Sequence, residues 1–181
     1  MFDIESFKVN HQENPINIVE ATPYFSWKFK QESSDQKAYR ILVSSAPIVD
    51  DSKVDMWDSG LVESDQMIGI AYQGNVFQSR KKYYARLISF SVNNETSTLD
   101  SFFETALINE EDWLGKWVSL PASASGGTLY IRKKIEIEPK KVVRARAYVC
   151  GLGYYEFSIN GKKVTKSVLN PGETNYNKTI L

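Results

Sequence analysis

Apolar and polar residues alternate in short segments along the first hundred positions, and this period of two predicts β-strands. Turn-forming sequences, such as Trp57-Asp58-Ser59-Gly60 and Asn93-Asn94-Glu95, separate the segments. Strands at this spacing, with no helical period between them, favour a β-sandwich. The residues that share an apolar face are Phe25, Trp27 and Phe29; Tyr39, Ile41 and Val43; and Tyr83, Ala85 and Leu87.

The second part of the chain alternates over residues 129–138 and 143–149, which predicts two more strands, the second hiding its valines and alanines. Asn160-Gly161 lies within residues 156–164 and predicts a hairpin, because both residues tolerate the positive φ of a type I′ turn. The acidic residues 109–112 are expected to form the single helical turn. Residues 113–181 supply about five strands where a jelly-roll sandwich has about eight, so the chain is expected to be truncated within this module.

Two modules are predicted, at residues 1–107 and 108–181, because the charge changes sign between them. The first carries 10 basic and 15 acidic side chains, a net −5, and the second carries 12 and 7, a net +5. Such a difference is usual for two differently solvated surfaces, and attraction between the modules is the alternative. Trp113 and Trp117 lie just after the boundary and are candidates for the joint.

The overall composition excludes several classes of partner. Lys plus Arg and Asp plus Glu both number 22, so no net charge attracts nucleic acid or an anionic membrane, and neither is predicted as a partner. The single cysteine, Cys150, cannot form an internal disulfide, and no basic, apolar leader is visible at the start. A cytoplasmic location is therefore expected.

Residues that could carry catalysis are few. His11, the one histidine, lies in a polar segment without partners at catalytic spacing, so a surface role is favoured. Glycoside hydrolysis needs two carboxyl groups beside the scissile bond, and Glu156 is expected instead to face Lys162 or Lys163 across the hairpin. We predict no catalytic residue, no metal ligand and no cofactor.

Sugar binding needs aromatic surfaces and a few hydrogen-bonding groups, and the second module offers some near its turns. The candidates for sugar contact are Tyr154, Tyr155, Asn175 and Tyr176. Packing in the sandwich core is the alternative role for the tyrosines, because alternate residues of a strand must fill the core.

Taken in order, the motifs resemble those of a known family. The first half resembles the fibronectin type III-like N-terminal domain of bacterial α-L-rhamnosidases, and Phe77 with Tyr83 fits the tyrosine corner of such domains. The second half resembles the β-sandwich domain that follows it. The motifs of the first half are Pro23-x-x-Ser26-Trp27, Tyr39-x-Ile41-x-Val43, Tyr83-Tyr84-Ala85-Arg86-Leu87 and Phe103-Glu104-Thr105. The motifs of the second half are Asp112-Trp113-x-x-x-Trp117-Val118, Gly151-Leu152-Gly153-Tyr154-Tyr155-Glu156 and Leu169-x-Pro171-Gly172-x-Thr174-x-Tyr176.

The resemblance implies an all-β chain of two consecutive β-sandwiches, a fibronectin type III- or immunoglobulin-like one and then a partial jelly-roll-like one. It implies a non-catalytic accessory region of a glycosidase that removes terminal α-L-rhamnose. The catalytic (α/α)₆ barrel would lie beyond Leu181 and would be the chief partner, with a rhamnose-containing glycan as a further candidate. The alternative is a self-standing carbohydrate-binding or adhesion module. By itself the chain is expected to hydrolyse nothing.

Overall fold

The computed structural model describes residues 2–31, 35–121, 128–139, 141–172 and 174–175. The chain divides into two compact units, residues 1–119 and 120–181. The first unit therefore continues past the predicted boundary at residue 107, and includes Trp113 and Trp117. The precise limits of the two domains stay a prediction.

Among the described residues of the first unit, seven strands form two antiparallel sheets, and this confirms the predicted all-β sandwich. One sheet has the order β1-β2-β5 and the other the order β4-β3-β6-β7. The only helical elements among the described residues are two short 3₁₀ turns, the expected one at Glu110–Asp112 and an unexpected one at Asp51–Lys53. The strands are β1 Ile4–Val9, β2 Tyr24–Phe29, β3 Gln36–Ser44, β4 Trp57–Asp58, β5 Ile70–Ala71, β6 Lys82–Ser91 and β7 Thr96–Glu104.

The core lies between the two sheets and consists of the predicted apolar faces. In β6 the burial alternates strictly, with Tyr83, Ala85 and Leu87 buried and their neighbours half-buried. Phe25 and Trp27 of β2 approach this layer from the opposite sheet and belong to the same cluster. Alternating burial of this kind holds each strand in register, since a shift by one residue would turn the apolar face to water.

The predicted tyrosine corner is present. The hydroxyl oxygen of Tyr83 accepts the backbone N–H of Gln78 at 2.8 Å. The Tyr83 ring lies edge-on to Phe77, with ring centroids 4.7 Å apart, and stacks on Phe103 at 5.6 Å. Because the hydroxyl is hydrogen-bonded and the ring is buried, one side chain fixes the start of β6 against the turn before it.

A buried glutamine connects the two sheets. The side-chain oxygen of Gln36 accepts hydrogen bonds from the Trp27 indole and the Ser89 hydroxyl, both at 2.9 Å. Its amide nitrogen donates to the carbonyl oxygen of Ser64 at 2.9 Å. The polar atoms of this buried group are thus satisfied by β2, β6 and a loop.

A loop also crosses the outer face of the larger sheet. Arg86 makes two parallel bonds to Asp100, at 2.6 and 2.8 Å, and reaches Asp51 at 2.8 Å and the carbonyl oxygen of Ile48 at 3.0 Å. Leu42 lies opposite Arg86 in the register of β3 and β6 and is fully buried, although it lies outside the main core. The loop is thus held to the sheet face through Arg86.

The outer edge of β7 is occupied by the segment that follows β1. The side-chain oxygen of Asn14 accepts the Phe102 N–H at 3.2 Å, and the carbonyl oxygen of Pro15 accepts the Glu104 N–H at 2.8 Å. Ile18 then pairs in parallel with Thr105. The end of this edge strand therefore does not present free amides at these positions.

In the second unit the predicted hairpin is confirmed, with strands β8 Ser158–Ile159 and β9 Lys162–Lys163. Asn160 and Gly161 both have positive φ, 49° and 76°, as a type I′ turn requires. The predicted strands at 129–138 and 143–149 are not formed, and the prediction that the second hides its apolar side chains is wrong: Val143 is 89% exposed and Val149 is 40% exposed. A strand needs a neighbour for its backbone bonds, and among the described residues of this unit only the hairpin strands pair.

Candidate functional site

The second unit contains a shallow cleft beside the hairpin. Its volume is about 170 Å³, and its polar lining comes from Tyr155, Glu156, Lys163, Thr165 and Asn170. Val149 and Phe157 contribute apolar surface. A cleft with two aromatic rings and several hydrogen-bonding groups has the composition of a carbohydrate site, although it is smaller than the pockets of 300–1,000 Å³ that bury whole ligands.

The backbone positions two of the cleft residues directly. Tyr155 and Asn170 form an isolated antiparallel bridge, in which the Tyr155 N–H donates to the carbonyl oxygen of Asn170 at 2.7 Å. The Tyr155 hydroxyl donates to the carbonyl oxygen of Val149 at 3.3 Å. Both contacts hold the ring at the edge of the cleft, so its polar end is engaged with the protein.

The charged groups of the cleft form an ion pair. Lys163 Nζ lies 3.0 Å from Glu156 Oε2, and this confirms the predicted pairing of Glu156 with a lysine of the hairpin. Glu156 is the one carboxylate among the described residues that line the cleft. A single carboxylate beside an ammonium group can hydrogen-bond sugar hydroxyls. This suits sugar binding, whereas glycoside hydrolysis needs two carboxyl groups.

The four sequence candidates do not converge on this cleft. Tyr155 lines it, whereas Tyr154 is 62% exposed and is not among the lining residues. Asn175 is exposed, and Tyr176 lies outside the described residues. A role in sugar contact for these residues stays a prediction.

Asn170 is a cleft residue that was not predicted from the sequence. Its position depends on the chain turning back toward Tyr155. At this turn the backbone of Leu169 adopts a positive φ of 57°. A positive φ at a branched apolar residue is uncommon and has no mark in the sequence, because glycine or asparagine normally indicates such a position.

A second cleft, of about 240 Å³, lies in the first unit near the end of β6. Lys37 and Glu63 provide opposite charges there, and Leu61 and Phe90 provide apolar surface. Nothing in this arrangement concentrates one charge sign or one type of hydrogen-bonding group, and we assign it no ligand.

The remaining reactive side chains lie apart from both clefts. His11 is exposed, in a turn after β1 where its φ is +65°. Cys150 is half-buried. Among the described residues, no cluster of three or more His, Cys, Asp or Glu side chains could hold a metal ion. In the same part of the chain, no helix is long and apolar enough to cross a membrane.

Comparison with known families identifies both parts of the chain. Residues 4–109 match the family described as the Rha78A-like N-terminal immunoglobulin domain. Residues 140–181 match the N-terminal domain of α-L-rhamnosidases. The first match covers the sandwich described above, and the second includes the hairpin and all the residues that line its cleft.

Curated relatives named α-L-rhamnosidase align with almost the whole of this chain. An α-L-rhamnosidase of Formosa agariphila is 33% identical over 204 residues, which cover 97% of this chain and 21% of that protein. An α-L-rhamnosidase of an Alteromonas species is 35% identical over 182 residues, which cover 92% of this chain and 20% of that protein. The chain thus spans about one fifth of the length of these relatives.

Solved structures show the same similarity. The α-L-rhamnosidase of Streptomyces avermitilis, crystallised with L-rhamnose, aligns with a TM-score of 0.61 at 29% identity, over 67% of this chain and 12% of that one. The enzyme from Dictyoglumus thermophilum aligns with a TM-score of 0.60 at 29% identity, over 67% and 14%. These findings confirm the resemblance seen in the motifs: the chain belongs to the α-L-rhamnosidase family, as a Rha78A-like N-terminal immunoglobulin domain followed by a segment of the α-L-rhamnosidase N-terminal domain.

Proposed function

We propose that this chain serves as the non-catalytic N-terminal accessory region of an α-L-rhamnosidase, which removes terminal α-L-rhamnose from glycosides. The observation that carries the proposal is the alignment of nearly the whole chain with about one fifth of each curated rhamnosidase. The remaining four fifths of such a protein would contain the catalytic barrel, and that barrel is the proposed partner of the chain.

The first unit suits a supporting role. Its buried polar groups are satisfied internally, as the contacts of Gln36 illustrate, and its core packs two sheets face to face. A rigid sandwich of this kind provides surface and spacing for other domains, and function is set by the sites attached to the fold.

The proposal is tested by measuring hydrolysis of a chromogenic α-L-rhamnoside. The purified chain should give no turnover above the rate without protein, and a longer polypeptide that joins it to a rhamnosidase barrel should give saturable turnover. Release of the chromophore by the chain alone would contradict the proposal, as would a longer polypeptide that cleaves other glycosides and leaves α-L-rhamnosides intact.

A carbohydrate-binding role for the second unit is the alternative, and the cleft at Tyr155 and Asn170 favours it. Calorimetry of the chain with L-rhamnose, with and without calcium, tests this role. Saturable binding that is lost in Asn170→Ala and kept in the control Asn93→Ala, at an exposed position of the first unit, would support a sugar site in the cleft. No heat of binding with or without calcium would exclude it.

We also propose a cytoplasmic location, supported by the single cysteine, which offers no internal disulfide partner. Separation of cells into cytoplasmic and exported fractions, followed by immunodetection, tests this. Detection in the exported fraction would contradict it.

A further inference from the structure

The segment that leaves β7 is bound to the turn before β6 at four of its residues. We define the exit latch as residues 105–112 lying on the turn at residues 78–81. Thr105 donates its N–H to the carbonyl oxygen of Lys81 at 2.9 Å, and its hydroxyl donates to the carbonyl oxygen of Gln78 at 2.6 Å. One residue later, the Arg80 N–H donates to the carbonyl oxygen of Ala106 at 3.0 Å. The contact therefore continues where the sheet has ended.

Ser79 joins the second half of the latch to the turn. Its hydroxyl oxygen accepts the Ile108 N–H at 2.8 Å, and its hydroxyl hydrogen is donated to the carboxylate of Asp112. The same carboxylate accepts the N–H of Asn109 at 3.3 Å and its side-chain amide at 3.1 Å, and lies 3.7 Å from the guanidinium of Arg80. Both Ser79 and Asp112 are half-buried.

Packing supports these hydrogen bonds. Ile108 is half-buried against the main core, so the chain is held by an apolar side chain in the middle of the latch. Connections between domains are usually exposed and flexible, with few contacts to either side. A connection held by backbone, side-chain and apolar contacts at Thr105, Ala106, Ile108 and Asp112 behaves instead as part of the domain.

We propose that the exit latch fixes the direction in which the chain leaves the two sheets of the first unit, with Ser79 as its positioning residue. The sandwich would then serve as a rigid mount for the residues that follow Asp112. This role as a mount rests on the proposed function, whereas the latch itself can be tested on this chain alone, without any rhamnosidase assay.

The test is amide hydrogen exchange of the full chain, with digestion by a glutamate-specific protease as a second readout. Ser79→Ala removes the acceptor of the Ile108 N–H and the donor to Asp112, and should speed exchange of the Ile108 amide about tenfold. Cleavage after Glu110 and Glu111 should speed up in parallel, while the amides of β6 keep their protection. Ser79→Thr keeps the hydroxyl and should restore both rates.

Ser52→Ala is the matched control, because Ser52 also donates its hydroxyl to an aspartate, Asp50, but lies far from the latch in sequence. It should leave both rates unchanged. If Ser79→Ala does not fold, Asp112→Ala carries the test, since Asp112 lies outside both sheets. Unchanged exchange at Ile108 and unchanged cleavage in the folded variants would overturn the proposal.

Discussion

Gln36 shows how much one buried side chain determines in this fold. It begins β3, yet its side chain contacts β2 through Trp27, β6 through Ser89 and the loop at Ser64. A buried polar group of this kind stabilises the fold only while every partner is present. A buried partner that loses its hydrogen bond cannot replace it with a hydrogen bond to water.

Replacing Gln36 with alanine should therefore lower the free energy of unfolding by about 2–4 kcal/mol, since the Trp27 indole and the Ser89 hydroxyl would lose their acceptor. Urea denaturation followed by tryptophan fluorescence measures this change. Gln73→Ala, at an exposed position, is the control and should change stability little. Equal effects of the two substitutions would show that Gln36 does not connect the sheets.

Asp55 predicts how stability depends on pH. Hydrogen bonds from Ser45, and to a lesser extent from Ser44, hold the pKa of its carboxyl below the usual value. A lowered folded-state pKa stabilises the fold above the unfolded-state pKa of about 3.9, and this stabilisation is lost as the pH falls through the folded value.

Between neutral and acid pH, the free energy of unfolding of Asp55→Asn should therefore fall less than that of the native chain. The stabilities of the two proteins should become similar at the lowest pH. Thermal unfolding at a series of pH values measures the difference. Parallel curves for the two proteins would contradict the assignment.

At the scale of elements, the loop over the outer sheet face depends on Arg86. The side chain is 19% exposed, and its guanidinium serves two carboxylates and one carbonyl oxygen at once. The two aspartates raise the pKa of Arg86 above its usual value, so it stays charged at every ordinary pH. A lysine cannot reproduce this fork of donors.

Arg86→Lys should lower the free energy of unfolding by about 2 kcal/mol, as expected for lost hydrogen bonds between charged groups. It should also speed tryptic cleavage after Lys53, which lies in the 3₁₀ turn of that loop. Arg40→Lys is the control, because the hydrogen bonds of Arg40 go to Asp58, and it meets Asp51 of the loop through charge attraction without a hydrogen bond. Unchanged cleavage after Lys53 in Arg86→Lys would show that other contacts hold the loop.

The hairpin of the second unit depends on its turn. Gly161 has a φ of +76°. An alanine in this left-handed conformation has a free energy about 1–2 kcal/mol higher than in a right-handed one. Gly161→Ala should therefore weaken the contact between Ser158 and Lys163, measurable as cross-strand nuclear Overhauser effects. Gly172→Ala is the control, because a Cβ there meets no atom within 4 Å and needs no positive φ. Equal losses in both variants would contradict this role of the turn.

At the scale of the whole molecule, the buried hydrophobic residues that the structure describes all lie between Phe2 and Phe103. Removal of residues 120–181 should therefore leave the unfolding of the first unit cooperative, with a midpoint close to that of the full chain. Calorimetry of the two proteins measures this. A broad, non-cooperative transition in the shortened chain would show that the first unit needs the second.

The strands of the first unit could be predicted because their local signals agree with their environment. Phe25 with Trp27, and Tyr83 with Leu87, alternate with polar residues and meet a second apolar layer, so pattern and burial coincide. The turn at Asn160 and Gly161 could be predicted for the same reason, since its chemistry is local.

The apolar positions around Val143 have the same period, but pattern alone does not provide a neighbouring strand, and the described residues there remain exposed. Contacts that join distant parts of the chain were also invisible in the sequence. Ser79 with Asp112, and Arg86 with Asp51, are separated by more than thirty residues, and nothing in their local sequence indicates the partner. The cleft was only partly predicted, because Asn170-Pro171-Gly172 marks a turn but does not indicate that the turn meets Tyr155.

The segment at residues 14–18 that covers the end of β7 has a consequence for the behaviour of the protein at high concentration. An open edge strand can pair with the same strand of a second molecule, and this pairing is a common first step of aggregation. Asn14 and Pro15 already occupy the amides of Phe102 and Glu104, so two molecules cannot extend a shared sheet through this end of β7. Asn14 and Pro15, more than eighty positions before β7, thus protect the end of this strand from pairing with another molecule.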